Sequence, residues 1–220
     1  MNYVFQWGVV TRNWPLLLEG VWLTIQLSLW ATLFGLLIGI IGALLISSRI
    51  RFLKVLTMTY VELIRNTPFL VQLFFLFFGL PELGIKLSAG QAALLALTIN
   101  LGAYATEIVR AGVEAIHKGQ IEAGVSLGLS YLQVFRYVIL KPALVKVYPS
   151  LTSQFILLML NSSVVSQIAA QELTHTAGFL ESRSFRSFEI YFVVTLIYLA
   201  LSMMFRALFH AVHTFTLARR

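Results

Sequence analysis

Residues 119–142 read GQIEAGVSLGLSYLQVFRYVILKP. This is the longest polar stretch away from the termini, and apolar runs stand on both sides of it. Whether it is a loop or a built element decides the fold. Ile121 to Leu127 is helix-compatible, and Gly128 suits the position just past a helix end, where a left-handed backbone is needed. Ser130 is followed three residues on by Gln133, the capping-box spacing, so a second helix starts at Tyr131. It is expected to run to about Leu140, with Pro142 marking its end or the entry to the next apolar run. Two short helices around a glycine corner would form a compact knuckle. From the residues alone, an ordinary polar loop stands as the other reading.

The flanks point to a membrane. The chain has 220 residues, is 59% hydrophobic and 11% charged, and its mean hydropathy is +0.85. A soluble domain carries about 25% charged residues, and a core of this size cannot hide so much apolar surface. Cysteine is absent, which excludes disulfides, thiolate metal sites and a cysteine nucleophile. Every acidic residue is Glu, which excludes aspartate-based sites such as a phosphoaspartate or an EF-hand loop. The net charge of +7 is read as basic loops on the inner side of a membrane, not as nucleic-acid binding. The start, MNYVFQWGVVTRNW, lacks the basic flank and small-residue cleavage site of a signal peptide.

Five spans are expected. Gly20 to Ser48 carries no charge, with Trp7 and Trp14 before it at the surface level; Gly35, Gly39 and Ala43 form a small-residue stripe along it. The second run, about Val55 to Gly79, is interrupted by YVELIRNTP (residues 60–68), where Pro68 predicts a kinked or broken span. The third is Leu87 to about Thr106, ending in Glu107, Arg110 and Glu114. The fourth is Val147 to about Gln171, with a polar centre at Asn161, Ser162 and Ser163. Residues 172–189 read as a polar external segment, and a fifth span runs from near Ile190 past Arg206. Placing Arg49, Arg51, Lys54, Arg110, Lys118, Arg136, Lys141, Lys146, Arg206, Arg219 and Arg220 inside leaves Arg12, Lys86, Arg183 and Arg186 outside. This predicts the N-terminus outside and the C-terminus inside.

No catalytic set emerges. Gly79 to Gly84 approaches a phosphate-binding loop, but Ile85 stands where lysine is needed. The four histidines lack metal-ligand spacing; His210 and His213 are three apart near a helix end and read as interface residues.

The knuckle resembles the EAA loop of permease subunits of ATP-binding-cassette importers, which reads Glu-Ala-Ala, three residues, Gly, nine residues, Ile-x-Leu-Pro. Here stand Glu122, Ala123, Gly124, then Gly128, then Val138, Ile139, Leu140 and Lys141. Gly124 replaces the second alanine, and Lys141 stands in place of proline, with Pro142 one position late. VELIRNTPFLVQL (61–73), AYATEIVRAGVEAIHKGQ (103–120) and residues 149–173, with their TSQ and NSSVVS runs, are similar to the polar-amino-acid branch, of histidine, glutamine and glutamate type. The resemblance covers about residues 15 to 210.

It implies an all-α membrane protein of the type I ABC importer permease fold. Residues 1–220 would be one permease domain with a cytoplasmic coupling loop at 113–142. Glu122, Ala123, Gly124, Gly128 and Leu129 would dock into a groove on an ABC ATPase. The implied partners are two ATPase copies, a second permease subunit (identical or different), an extracytoplasmic amino-acid-binding protein and the lipid of a bacterial inner membrane. The chain would bind no cofactor, while its partner ATPase would use ATP and Mg²⁺.

For Asn161, Ser162 and Ser163, interhelical hydrogen-bonding and a substrate pathway both fit the residues; the resemblance favours the pathway. Asn-Ser at this place is similar to the glutamate/aspartate type, which implies acidic or neutral polar amino acids. Tyr104 and Glu107 would meet a substrate ammonium, or else Glu107 and Arg110 form an ordinary i, i+3 pair. Glu62 and Arg65 pose the same choice. Arg65, roughly 24 Å back from Pro81 at about 1.5 Å per residue, falls near the inner edge of the apolar core and, with Thr67 and Pro68, is read as a gate or a structural element. A stand-alone secondary transporter or channel is the competing function; it predicts ionisable residues deep in the spans and leaves the knuckle unexplained.

Overall fold

The computed structural model describes residues 4–217. Over these the chain is helical, without strands. The helices are α1 (Gly8–Arg12), α2 (Trp14–Ile46), α3 (Arg51–Arg65), α4 (Phe69–Glu82), α5 (Ala89–Glu114), α6 (Lys118–Ser126), α7 (Tyr131–Ile168), α8 (Leu173–Ser184) and α9 (Ser187–Phe215). Helices α2, α5, α7 and α9 are each long and apolar enough to cross a membrane, and α3 with α4 makes a fifth, bent span. Arg219 and Arg220, counted above toward the inner side, lie outside the described residues.

Helix α2 starts with Pro15 in its first turn, where a missing N–H costs nothing. Its buried face is made of small residues, among them Gly20, Thr24, Ser28, Ala31, Gly35, Gly39, Gly42 and Ala43. They let α5 approach closely. A Cβ at Gly35 would lie 2.8 Å from the Leu101 side chain, at Gly39 2.4 Å from Ala105 Cβ, and at Gly42 2.4 Å from Thr106 Oγ1. Replacing Gly39 with leucine is expected to force α2 off α5 at a cost of about 1–3 kcal/mol. Thermal unfolding of the detergent-purified chain measures this; an unchanged midpoint would show that the contact is not tight.

The interrupted span is broken as Pro68 requires. The α3 and α4 axes differ by 110° across Asn66 to Pro68. Polar side chains hold the break. Asn66 Nδ2 donates to the Glu62 carbonyl (2.8 Å) and Thr67 Oγ1 to the Leu63 carbonyl (2.7 Å). Gln72 Nε2 donates back to the Ile64 carbonyl (2.7 Å) and to Thr67 Oγ1 (2.8 Å), and its Oε1 accepts from Asn100 Nδ2 on α5 (3.1 Å).

Helix α5 begins at a capping box, Ser88 with Gln91. Its face Ala92, Ala93, Ala96, Leu97 and Leu101 joins Ala31, Leu73, Leu158 and Val165 in the main core.

Three expectations are corrected. The fourth span does not begin at Val147, and the knuckle's second helix does not stop near Leu140. They are one helix, α7, of 38 residues. A proline inside a helix loses one hydrogen bond and crowds the carbonyl four residues back. Here the turns widen to π geometry over Val134–Leu140, just before Pro142, where that crowding falls. The buried residues of this stretch, Val134, Ile139 and Ala143, pack with Ile116 at the knuckle. Residues 172–189 are not simply a polar external segment either. They hold α8, whose Leu173, Ala177 and Leu180 pack with Leu17, Ile190 and Val194. Most of the exposed polar residues, Ser182 and Arg183 among them, lie away from this packed face.

Candidate functional site

The knuckle is built almost entirely from local signals. His117 caps α6, its Nδ1 accepting from the Gly119 N–H at 3.1 Å. At the other end Gly128 takes φ +78°, its N–H bonding the Val125 carbonyl (2.9 Å), while the Leu129 N–H bonds the Gly124 carbonyl (3.2 Å). This pair of bonds is the Schellman closure, which satisfies carbonyls the helix leaves open. Ser130 and Gln133 then cap each other reciprocally and start α7.

Gly124 has a structural reason to replace alanine. It is buried, and a Cβ there would lie 3.3 Å from Val134 and from Val138, tighter than ordinary contact. The late proline is absorbed by the π turns, and Lys141 is exposed.

Among the described residues nothing covers the knuckle's outer surface. Glu122 and Ala123 are exposed, and beside them Leu127 is 81%, Tyr131 87% and Leu132 74% exposed, with Val125 also open. A cluster of large apolar side chains at a polar helix corner is the kind of patch that marks a contact with a protein, a membrane or a ligand.

At the other end of α7 the helix tightens to 3₁₀ geometry over Ser162–Ile168 and stops at Ala169, φ +57°. The structure separates the three polar residues of this segment. Ser162 is buried and its hydroxyl donates to the Met159 carbonyl (2.7 Å); the Ser163 hydroxyl donates to the Leu160 carbonyl (2.7 Å). Asn161 is exposed, and its amide has no hydrogen bond among the described residues.

Behind this segment lies a buried carboxyl that polarity alone did not reveal. Glu172 is 0% exposed. Its oxygens accept from the Tyr198 hydroxyl (2.6 Å) and from the His175 N–H (2.7 Å). Thr174 Oγ1 lies 3.0 Å from the Tyr198 hydroxyl, and the Ser162 hydroxyl is beside it. Burial pushes the Glu172 carboxyl above the ordinary carboxylate range, against the lowering effect of its hydrogen-bond donors. Glu189 is equally buried and accepts from the Gln6 N–H (2.8 Å). The amides Gln72 and Asn100 were also missed; a lone amide within an apolar run was the available signal.

The residues Tyr104, Glu107 and Arg65 come together between the bent span and α5. The Arg65 guanidinium lies 5.5 Å from the Tyr104 ring centre. Glu107 is taken by Arg110, whose Nε donates to Oε2 at 3.1 Å, and Arg110 also reaches Glu114 at 2.6 Å. Glu62 does not pair with Arg65; it accepts from Asn66 (2.8 Å). Thr67 and Pro68 sit in the break itself. Asn161 is apart from this group, next to the main core that contains Leu158 and Val165.

Residues 35–215 match the family model described as a binding-protein-dependent transport system inner membrane component. The chain is 37% identical over 179 residues to the L-cystine transport system permease protein TcyB of Bacillus subtilis (strain 168), covering 81% of this chain and 76% of that protein. It is 34% identical over 201 residues to the glutamine transport system permease protein GlnP of Escherichia coli (strain K12), covering 90% and 92%. Among solved structures, an amino acid ABC transporter crystallised with histidines superposes with a TM-score of 0.89 at 35% identity, over 95% of this chain and 98% of that one. The MetNI methionine ABC transporter, at 23% identity and a TM-score of 0.76, shares the fold.

Proposed function

The chain belongs to the binding-protein-dependent transport system inner membrane components, and from that premise we propose that its exposed knuckle receives an ATPase while Asn161 faces the amino acid being moved. It is a multi-pass permease subunit of an amino-acid ABC importer in the bacterial inner membrane. ATP and Mg²⁺ are used by the separate ATPase subunits, and this chain is not itself an enzyme. Two ATPases and a second permease complete the complex, and a binding protein delivers substrate from outside. The knuckle lies in the cytoplasm, in line with the basic residues at that end.

One observation carries the reading: Tyr131 and Leu132 of the exposed apolar knuckle and the unbonded Asn161 amide lie on the same continuous helix, α7. Glu122 and Gly128 anchor the docking surface, with Ala123 exposed beside Glu122 and with Gly124 and Leu129 forming its close-packed base. Ser162 and Ser163 shape the Asn161 segment by tying its carbonyls, rather than by binding substrate directly. Arg65, Thr67 and Pro68 form a gate on the knuckle side of that segment, with Arg65 against the pathway residue Tyr104 and Glu107 further along the pathway.

A neutral amide suits acidic or neutral polar amino acids. Changing Asn161 to Asp adds a carboxylate that repels an acidic substrate by about 1–4 kcal/mol at contact distance. Preference is therefore expected to move away from glutamate, relative to glutamine, by at least about fivefold. Competition for uptake between the two measures this. An unchanged profile removes Asn161 from the pathway. Isolation of the intact complex by a tag on this chain tests the partners: an ATPase subunit is expected, and its absence would sink the docking assignment.

A further inference from the structure

We propose that the groove between α7 and α9 at the knuckle end is the exit half of the pathway, and that Arg206 makes it selective for substrates with a carboxylate and no net positive charge. This rests on the reading of Asn161 as a pathway residue.

The groove encloses about 700 Å³. Its α9 wall carries Arg206, His210 and His213, spaced i, i+4 and i+7, so all three cationic or basic side chains share one helix face, turned toward α7. A general excess of positive charge at a membrane edge needs no such alignment. No Glu lines the groove. Arg206 is exposed and meets no carboxylate among the described residues. In this it differs from Arg110, which is held by Glu107 and Glu114.

The position fits a route. The groove's α7 wall runs from Tyr148 to Leu160, and Asn161 is the next residue. The Tyr148 hydroxyl donates to the Phe209 carbonyl at 2.7 Å, which fixes the two helices side by side at its knuckle end. Tyr148 is about 20 Å along α7 from Asn161 at about 1.5 Å per residue. Arg206 is three residues from Phe209 in the direction of Asn161, so it stands within the groove, between the Asn161 segment and the open end.

The chemistry then follows. A guanidinium fork binds a carboxylate bidentately, and neighbouring imidazoles add donors. A substrate of net positive charge would be repelled by the same lining. An acidic amino acid leaving Asn161 thus meets donors along its way, with the apolar Leu157 and Phe209 between them limiting how tightly it is held.

The test is ligand titration of the purified complex, with its ATPases but without the binding protein, followed by thermal shift. Glutamate, glutamine and arginine are the probes, and basal ATPase activity reports an intact assembly. Arg206→Gln is expected to weaken glutamate binding roughly tenfold and glutamine less than about twofold, with Arg206→Lys recovering part of the loss. Asn161→Leu is run beside it. If Asn161→Leu abolishes binding and Arg206→Gln changes nothing, the groove assignment fails and the pathway reading stands. If neither matters, both fail. If Arg206→Gln alters stability only when acidic phospholipid is present, and never with amino acid, the groove holds a lipid headgroup and the proposal is overturned.

Discussion

Uptake is expected to fall at least about tenfold when Gly128 becomes valine, because a β-branched residue in the left-handed region costs roughly 1–2 kcal/mol and the corner that presents Leu127 and Tyr131 must open. No neighbour lies within 4 Å of the Cβ position at Gly128, so the penalty is conformational and not steric crowding by the core. That makes a graded series informative. Asparagine tolerates a positive φ better than other residues, so Gly128→Asn should retain more transport than Gly128→Ala, and Gly128→Val the least. Reversing charge with Glu122→Lys is expected to abolish transport with the Schellman corner intact, since Glu122 is exposed and makes no hydrogen bond or ion pair among the described residues. In each case insertion in the membrane should be normal, and stimulation of the ATPase by loaded binding protein should be lost together with uptake. Normal uptake and stimulation in both variants would show that the ATPase docks elsewhere.

Glu172→Ala is expected to destabilise the chain by roughly 2–4 kcal/mol, since it strands two donors, the Tyr198 hydroxyl and the His175 N–H, at about 1–3 kcal/mol for each unsatisfied group. The midpoint of thermal unfolding should drop by roughly 5–10 °C. The carboxyl also gives the stability a pH dependence of defined sign. Its folded-state pKa is raised by burial, so the folded form holds a proton more tightly than the unfolded one. Stability from this group therefore increases as pH falls from the raised value toward the ordinary carboxylate value near about 4.3, and is fully present below it. Above the raised value the cost of a buried charge is complete. Glu172→Gln should flatten that slope, as read from unfolding midpoints across acidic to neutral pH. A slope unchanged by Glu172→Gln would assign it to another carboxylate.

Much of the fold was open to reading because it rests on short-range rules. Gly128, the Ser130–Gln133 box, the break at Pro68 and the small-residue face of α2 are each set by residues within a few positions. The limits were equally physical. Arg136, Lys141, Lys146 and Pro142 made residues 131–146 look like a short helix ending near Leu140, followed by a new span. Yet charged side chains on an exposed face and a widened turn before proline let one helix continue through all of them. Helix α8 was hidden in the same way: Leu173, Ala177 and Leu180 carry a helical period, but the polar residues between them set the average. The Asn161–Ser163 run was visible as a polar centre. Which of the three is free was not visible, because it depends on 3₁₀ turns that direct the two serine hydroxyls to Met159 and Leu160. Glu172 and Glu189 depend on partners far along the chain, Tyr198 and Gln6, which no local window contains.

The unbroken run of α7 has a mechanical meaning. From Tyr131 to Asn161 it spans about 45 Å at about 1.5 Å per residue, and no loop interrupts it. It is a crank with its handle outside the bilayer. A push on Tyr131 reaches Asn161 without passing a joint that could absorb the stroke, so a small tilt at one end becomes a large sweep at the other. Its only changes of pitch, the wide π turns near the handle and the tight 3₁₀ turns at the tip, are where twist could be stored or let go.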